Sequence, residues 1–146
     1  MRNLAGPVRV LLVEDNPNDV EIARRALVKA AASIDLTVAR DGQEALDILA
    51  GDGKGGVPLP LLILLDLNLP KVDGREVLEK VKTDPKLKRI PVVILTVSAQ
   101  KEDIARCYDA GANTFITKPI QFDDFLRAVA TIDEYWLVTA TLPPLE

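Results

Sequence analysis

The sequence predicts an α/β fold in which helices pack on both faces of a parallel β-sheet. One indication is the aliphatic run at residues 61–65, whose lack of polar alternation is typical of a strand covered on both faces. Another is the order of patterns, since strand-like runs alternate with helical periodicity five times along the chain. The size of the chain agrees with this fold, because 146 residues of which 48 % are hydrophobic are enough for one domain with a buried core.

The elements follow in chain order from local patterns. Strands are predicted at residues 8–13, 36–39, 61–65, 90–96 and 114–117, which are rich in aliphatic and β-branched side chains. A helix is predicted at 17–32, with Asn16 as its N-cap and Asp19 favouring the positive end of its dipole. Asp41 and Gly42 are interpreted as a turn. Further helices are predicted before Gly51, between Gly74 and Asp84, before Gly111, and from Asp123 onward with the stripe Phe125, Val129, Ile132 and Trp136.

A glycine-rich stretch at residues 51–56 matches the spacing G-x-G-x-x-G. A dinucleotide-binding motif of that kind follows a strand and opens a helix, whereas this stretch follows a helix and precedes a strand. We therefore interpret it as a surface linker.

Composition excludes several classes of function. The formal net charge is −4, so there is no basic surplus for nucleic acid. No apolar run approaches the ~20 residues of a membrane span and no charged-then-apolar leader precedes the first strand, so we expect a cytoplasmic protein without a membrane partner. Cys107 is the one cysteine and there is no histidine, which excludes Ser-His-Asp, Cys-His and histidine–metal chemistry.

Polar residues that follow the predicted strands carry the functional signal. Because the carboxyl ends of parallel strands share one edge of the sheet, five side chains are expected to converge there. Each has an ordinary explanation alone, such as a turn former, a helix cap or a solvated charge, but a joint coincidence is improbable. The five side chains expected at this edge of the sheet are those of Glu14, Asp15, Asp66, Thr96 and Lys118.

Electrostatics indicates what such a cluster does. Two carboxylates ~4 Å apart repel by ~4 kcal/mol at an effective dielectric constant of ~20, so the cluster needs a cation. Oxygen donors without histidine or cysteine suit Mg²⁺, with Asp15 and Asp66 as direct ligands, Glu14 through water, and the backbone carbonyl of Asn68 as a further ligand. Asp66 would then attack a phosphoryl group whose oxygens are bound by Lys118 and the Thr96 hydroxyl, which predicts an aspartyl phosphate.

Five motifs carry a resemblance to a known family. The residues at 13–16, 65–70 with 73–74, 95–96, 110–113 and 118–119 resemble the receiver domain of two-component response regulators, over roughly residues 8–132. The resemblance implies a flavodoxin-like, doubly wound five-stranded parallel sheet in the order 2-1-3-4-5. It also implies Mg²⁺-dependent phosphorylation of Asp66 by a histidine kinase, Thr96 and position 115 as switch residues, and the cis peptide bond that such domains often have at the position before Pro119.

Two positions depart from the common receiver pattern. Position 115, where a switch tyrosine is frequent, is Phe115, which can swing inward but cannot donate a hydroxyl hydrogen bond. Val97 stands where small residues are frequent, and its branched side chain is expected to crowd the phosphorylation site.

The C-terminal segment suggests how a signal leaves. We divide the chain into a receiver domain at 1–135 and an extension at 136–146, in which residues 136–142 stay apolar and β-rich. The 29 residues from Lys118 onward leave no room for a helix-turn-helix module, so output is expected to go through protein contacts. The tail resembles that of single-domain regulators paired with bacterial phytochrome kinases, which implies a homodimer with this extension as its arm. The alternative is a longer last helix folded over its own core.

Three other functions are compatible with parts of this pattern. The protein could be a diffusible phosphorelay intermediate or phosphate sink, or a scaffold that is never phosphorylated, although a scaffold does not need all five site residues. A third alternative is a phosphohydrolase of the haloacid dehalogenase type. Such an enzyme needs a second acid two residues after the nucleophile, and because that position is Asn68 here, the sequence argues against this class.

Overall fold

The computed structural model describes residues 8–30, 34–51 and 58–144 of the chain. Residues 31 and 32 of the predicted first helix and most of the predicted glycine linker lie outside these ranges. Within them, no helix has the length and apolar character that crossing a membrane requires. The elements are β1 (Val8–Val13), α1 (Pro17–Ala30), β2 (Ile34–Ala39), α2 (Gly42–Ala50), β3 (Leu62–Leu65), α3 (Gly74–Thr83), β4 (Val92–Thr96), α4 (Lys101–Asp109), β5 (Thr114–Thr117), α5 (Phe122–Asp133) and a π-helical segment (Glu134–Thr139).

The sheet has five strands in the order β2-β1-β3-β4-β5, and all its pairs are parallel. This confirms the doubly wound, flavodoxin-like topology. In the central pairs, Val13 lies opposite Leu65, and Leu65 lies opposite Ile94. The carboxyl ends of β1, β3 and β4 therefore lie side by side, which positions the residues that follow them.

Two hydrophobic clusters sandwich β3, as its uninterrupted aliphatic sequence predicts. Ile63 and Leu65 face the cluster formed with α2, α3 and α4, whereas Leu62 and Leu64 face the cluster formed with α1 and α5. The four β3 side chains are at most 1 % exposed. Full burial of such a side chain stabilises the fold by roughly 1.5–3 kcal/mol, so β3 contributes strongly to the stability of the domain.

Short side-chain caps determine where the helices begin. Asn16 caps α1 as predicted, since its Oδ1 accepts the backbone N–H groups of Asn18 and Asp19 at 2.9 and 3.3 Å. The interpretation of Asp41 and Gly42 as a turn is wrong. Asp41 is the N-cap of α2, whose first residue is Gly42, because the Asp41 carboxylate satisfies an otherwise unpaired N–H of the first turn at 2.7 Å.

Gly74 opens α3 where the helix passes close to the end of β3. A Cβ atom at this position would lie 2.2 Å from the carbonyl oxygen of Asp66. The backbone N–H of Gly74 also donates to the Leu67 carbonyl at 2.9 Å. Glycine therefore allows the start of α3 to pack directly against the segment that carries Asp66.

The last helix runs through residue 135, the predicted end of the receiver domain. Residues Glu134–Thr139 continue α5 as a π-helical segment, closed by a hydrogen bond of 2.6 Å from the Ala140 N–H to the Tyr135 carbonyl. Leu137 is only 2 % exposed and joins the cluster between α1 and α5. The first part of the extension thus packs on its own core, while its use as a dimerisation arm stays a prediction.

The expected cis peptide bond before Pro119 is not present. Every peptide bond of the described residues is trans, including the one that joins Lys118 to Pro119. The trans isomer of such a bond is favoured by about 0.5–1 kcal/mol. In this arrangement the Lys118 N–H bonds to the Thr96 carbonyl at 2.6 Å.

Candidate functional site

An open cleft of about 570 Å³ lies at the carboxyl edge of the sheet. Its lining includes most of the predicted site residues together with one more acid from the first turn of α1. These lining residues are Glu14, Asp15, Asp19, Asp66, Asn68 and Lys118. Convergence of the strand ends on one site is therefore observed.

Backbone hydrogen bonds carry the sheet ladder one residue past the ends of the strands. The Asp66 N–H donates to the Val13 carbonyl at 3.0 Å, and the Glu14 N–H donates to the Ala39 carbonyl at 2.9 Å. These bonds fix the backbone of both acids relative to the buried sheet. Their side chains consequently point into the cleft from a rigid support.

Lys118 is the centre of the cleft. Its Nζ lies 2.6 Å from Glu14 Oε1, 2.9 Å from Asp19 Oδ2 and 3.2 Å from Asp66 Oδ2. The lysine side chain is 5 % exposed. An ammonium group has three N–H donors and no acceptor, so each donor has a carboxylate partner here.

Burial and these contacts change the acid–base properties of both partners. Burial, together with the nearby Asp66 carboxylate, raises the pKa of Glu14 to about 7 against the opposing effect of Lys118. For Lys118, burial lowers the pKa, but hydrogen bonds to Glu14 and Asp19 more than compensate and leave the pKa above its usual range. The lysine therefore remains a cation at neutral pH.

The acidic residues fit a divalent metal ion. Glu14, Asp15 and Asp66 each offer an oxygen, and these oxygens lie within 4.8 Å of one another. With Asp19 included, four carboxyl groups line the cleft beside the single ammonium group of Lys118. The donor set is all oxygen, which suits a hard cation, and such a cation would offset the excess negative charge.

The two remaining predicted residues, Thr96 and Phe115, are not among the residues that line the cleft. Thr96 at the end of β4 is fully buried, and its Oγ1 is 3.5 Å from the side-chain amide nitrogen of Asn68, a long contact for a hydrogen bond. Phe115 on β5 is partly buried and packs against the cluster formed with α2, α3 and α4. Its backbone N–H donates to the Tyr108 hydroxyl at 3.1 Å.

Asp19 is the site residue that the strand-end pattern did not include. The sequence assigned it only to the dipole of α1, yet its carboxylate bonds to Lys118. A signal was present, because α1 begins directly after β1 and its first turn must therefore lie at the same edge of the sheet. The rotation of that turn, which directs Asp19 inward, depends on the packing of α1.

Residues 10–130 match the response regulator receiver domain. The chain belongs to this family. Receiver domains act with histidine kinases and bind a divalent metal ion in an acidic pocket, and they are not enzymes in the ordinary sense.

Several relatives of this receiver domain cover nearly its whole length. It is 43 % identical to response regulator Rcp1 of Synechocystis sp. (strain ATCC 27184 / PCC 6803 / Kazusa) over 138 residues, which are 94 % of each protein. The crystal structure of the phosphorylated cyanobacterial phytochrome response regulator RcpA has a TM-score of 0.91 at 44 % identity, covering 95 % of this chain and 100 % of that one. The Mn²⁺-bound form of Rcp1 has a TM-score of 0.90 at 42 % identity, covering 94 % and 100 %.

Proposed function

We propose that this response regulator accepts a phosphoryl group on Asp66 from a histidine kinase. The observation that carries the proposal is the position of Asp66, whose Oδ2 lies 3.2 Å from the buried Lys118 ammonium inside an acidic cleft. A carboxylate next to a fixed cation at a solvent-open edge can attack an anionic phosphoryl group. The cation lowers the repulsion between the two.

The transfer uses the two oxygens of Asp66 differently. Oδ1 accepts the backbone N–H of Asn68 at 3.2 Å, which orients the carboxylate, while Oδ2 faces Lys118. A carboxylate oxygen forms a bond to phosphorus as the P–N bond of the phosphohistidine breaks, and the electron pair of that bond returns to the imidazole nitrogen. The Lys118 ammonium and the Thr96 hydroxyl then bind phosphoryl oxygens, and both act as catalytic residues.

We propose Mg²⁺ as the resident metal ion, because the cleft offers only hard oxygen ligands. Asp15 and Asp66 would hold it directly, with the backbone carbonyl of Asn68 as a further ligand. Glu14 would act through water, since its two oxygens are already bonded to Lys118 and to the Asn16 N–H. When bound, the ion would neutralise charge on the phosphoryl oxygens.

Labelling with a radioactive phosphodonor tests the acceptor assignment. Wild type, Asp66→Asn and Asp109→Asn are incubated with Mg²⁺ and labelled acetyl phosphate or a phosphorylated kinase. Asp109 is an exposed carboxylate at the end of α4 and serves as the matched control. We expect label on wild type and on Asp109→Asn, none on Asp66→Asn, and loss of labelling with EDTA. Label retained by Asp66→Asn would contradict the proposal.

We propose that the cognate kinase is a bacterial phytochrome. The support is the similarity to RcpA, a cyanobacterial phytochrome response regulator. Exposed apolar side chains also lie in the segments that follow β4 and β5, where a protein partner can cover them. Val97 is 64 % exposed, Ile120 98 % and Phe122 48 %. Phosphotransfer profiling against purified kinases tests this, and a clear kinetic preference for a kinase of another class would contradict it.

A further proposal is that the protein forms a homodimer in which residues 136–146 are the arm and the α4–β5–α5 face contributes. Support comes from Val138 in the arm and from Tyr135 just before it, which are 36 % and 54 % exposed although they flank the buried Leu137. Since Leu137 belongs to the core, substitution is a cleaner test than deletion of the extension. We expect Tyr135→Ser/Val138→Ser to lower the mass measured by light scattering. Val28→Ser, at a 71 % exposed apolar position on α1, should not. An unchanged dimer in the double variant would count against the arm.

A further inference from the structure

We infer that Asp19 is a positioning residue for Lys118, holding the lysine ammonium so that one N–H faces Asp66. The inference rests on the proposed phosphorylation of Asp66 and adds a residue outside the strand ends to the machinery of that reaction. Asp19 acts through the lysine, since its observed contact is with Nζ at 2.9 Å.

The three contacts of Nζ are unequal. The bonds to Glu14 and Asp19 are 2.6 and 2.9 Å long, whereas the bond to Asp66 is 3.2 Å. The two short bonds hold the ammonium, and the longest one is directed at Asp66, the residue that would carry the phosphoryl group. After transfer, only this third N–H has to change partner, from the carboxylate oxygen to a phosphoryl oxygen.

Asp19 is well placed to hold the lysine because its own position is fixed. It lies in the first turn of α1, and its backbone N–H is bonded to the Asn16 cap at 3.3 Å. Its side chain is 19 % exposed, so the bond to Lys118 is largely shielded from water. Glu14 and Asp19 thus approach Nζ from two different elements, the end of β1 and the start of α1.

Loss of one anchor should make the lysine less well ordered. With Glu14 alone on this side, the freed N–H can turn to water, and the ammonium can move relative to Asp66. Hydrogen bonds between charged groups are worth more than neutral ones, so the effect on the transfer step should be measurable. If Asp19 only stabilised the helix dipole, its loss would instead lower the stability of α1 and leave the transfer step unchanged.

Two substitutions at Asp19 and one control separate these roles. Asp19→Ala removes the acceptor, while Asp19→Asn keeps an acceptor oxygen without the charge. Glu21→Gln removes one negative charge from the same helix at an exposed side chain paired with Arg25. For each protein we would measure the rate constant of phosphorylation at saturating acetyl phosphate, the half-saturating Mg²⁺ concentration, the affinity for beryllofluoride and the urea midpoint.

We expect Asp19→Ala to lower the phosphorylation rate constant roughly tenfold and to weaken beryllofluoride binding by a similar factor. Asp19→Asn should lose about threefold, because it retains a weaker acceptor. The half-saturating Mg²⁺ concentration should stay within about twofold of wild type in both, and Glu21→Gln should match wild type in rate and in beryllofluoride affinity.

Each outcome bears on one of the two proposals. A wild-type rate and wild-type beryllofluoride affinity in Asp19→Ala, while Asp66→Asn takes no label, would overturn the positioning role and leave the proposed function intact. A shift in the Mg²⁺ requirement as large as the loss in rate would assign Asp19 to the metal site and overturn positioning. Label on Asp66→Asn would instead remove the proposed function, and the inference with it.

Discussion

Burial of the Asp133 carboxyl group should make the stability of this protein depend on pH. Asp133 lies at the end of α5 with 0 % of its surface exposed, and neither carboxyl oxygen has a hydrogen-bond partner within the described ranges. Val129, Ile132 and Leu137 on the same helical segment belong to a hydrophobic cluster. Burial raises the pKa of Asp133 from 3.8 to about 8. We predict that Asp133→Asn stabilises the protein increasingly as the pH rises.

The sign and size follow from proton linkage. Because the pKa is higher in the folded state, folded Asp133 holds its proton from about pH 4 to pH 8 while the unfolded chain releases it. Stability is therefore lost as the pH rises through this window. One pKa unit corresponds to about 1.4 kcal/mol, so the free energy of unfolding of wild type relative to Asp133→Asn should fall by up to about 3 kcal/mol between pH 5.5 and 8.

Urea unfolding followed by circular dichroism, at pH 5.5 and 8 without Mg²⁺, measures this difference. Asparagine does not ionise, so the change in the gap between the two proteins isolates Asp133 even though Glu14 also has a raised pKa, about 7. Any pH-independent effect of the buried amide on the free energy of unfolding is the same at both pH values and cancels from this change. In a chain of this size the effect corresponds to roughly 6–12 °C in Tm. A gap that stays constant between the two pH values would refute the reasoning.

Three further substitutions test contacts in the cleft and between the helices. Gly74→Ala should lower the free energy of unfolding by about 1–3 kcal/mol and slow labelling, because its Cβ would lie 2.2 Å from the Asp66 carbonyl oxygen; wild-type values in both assays would contradict this. Arg75→Met removes two hydrogen bonds of 2.7 Å to Asp103 and two of 3.0 and 3.1 Å to Asp73, at a cost of about 1–3 kcal/mol at pH 7. Hydrogen bonds from Arg75 and from a serine hydroxyl lower the pKa of Asp103 to about 2, so the part of the stability gap that is due to Asp103 should be lost as the pH falls from about 4 towards 2, and a gap that stays constant over this range would contradict this. Val97→Ala should speed phosphorylation by acetyl phosphate and alter dephosphorylation, since Val97 lines the cleft, and equal rates would refute crowding.

The sequence predicted the fold best where a strand is buried on both of its faces. The aliphatic run of β3 indicated a central strand because a strand with one solvent face could not tolerate it. The strand ends in turn located Glu14, Asp66 and Lys118 in the cleft, since parallel strands all end at one edge. Asp19 was missed as a site residue because its contact with Lys118 depends on how α1 is rotated about its axis, which strand order does not specify.

The C-terminal segment shows a different limit. Its β-branched residues favoured an extended arm, but tertiary contacts outweighed local preference and drew Leu137 into the core. Asp133 also had a readable signal, since it lies four residues after Val129 and four before Leu137, on the inward side of the helix. A carboxyl group on an apolar stripe is unusual, and only the packed structure reveals that it is fully buried.

Mutual dependence among the cleft residues explains why their joint placement predicts function better than any one motif. Lys118 is almost completely buried, and burial alone would lower its pKa; the carboxylates of Glu14 and Asp19 keep it charged. The same carboxylates, with Asp66, repel one another unless a cation lies among them. Removing the lysine leaves buried anions unpaired, and removing the acids leaves a buried ammonium unpaired. This mutual dependence supports the proposal that these residues form a functional site, in which Asp66 accepts the longest of the three hydrogen bonds from the lysine.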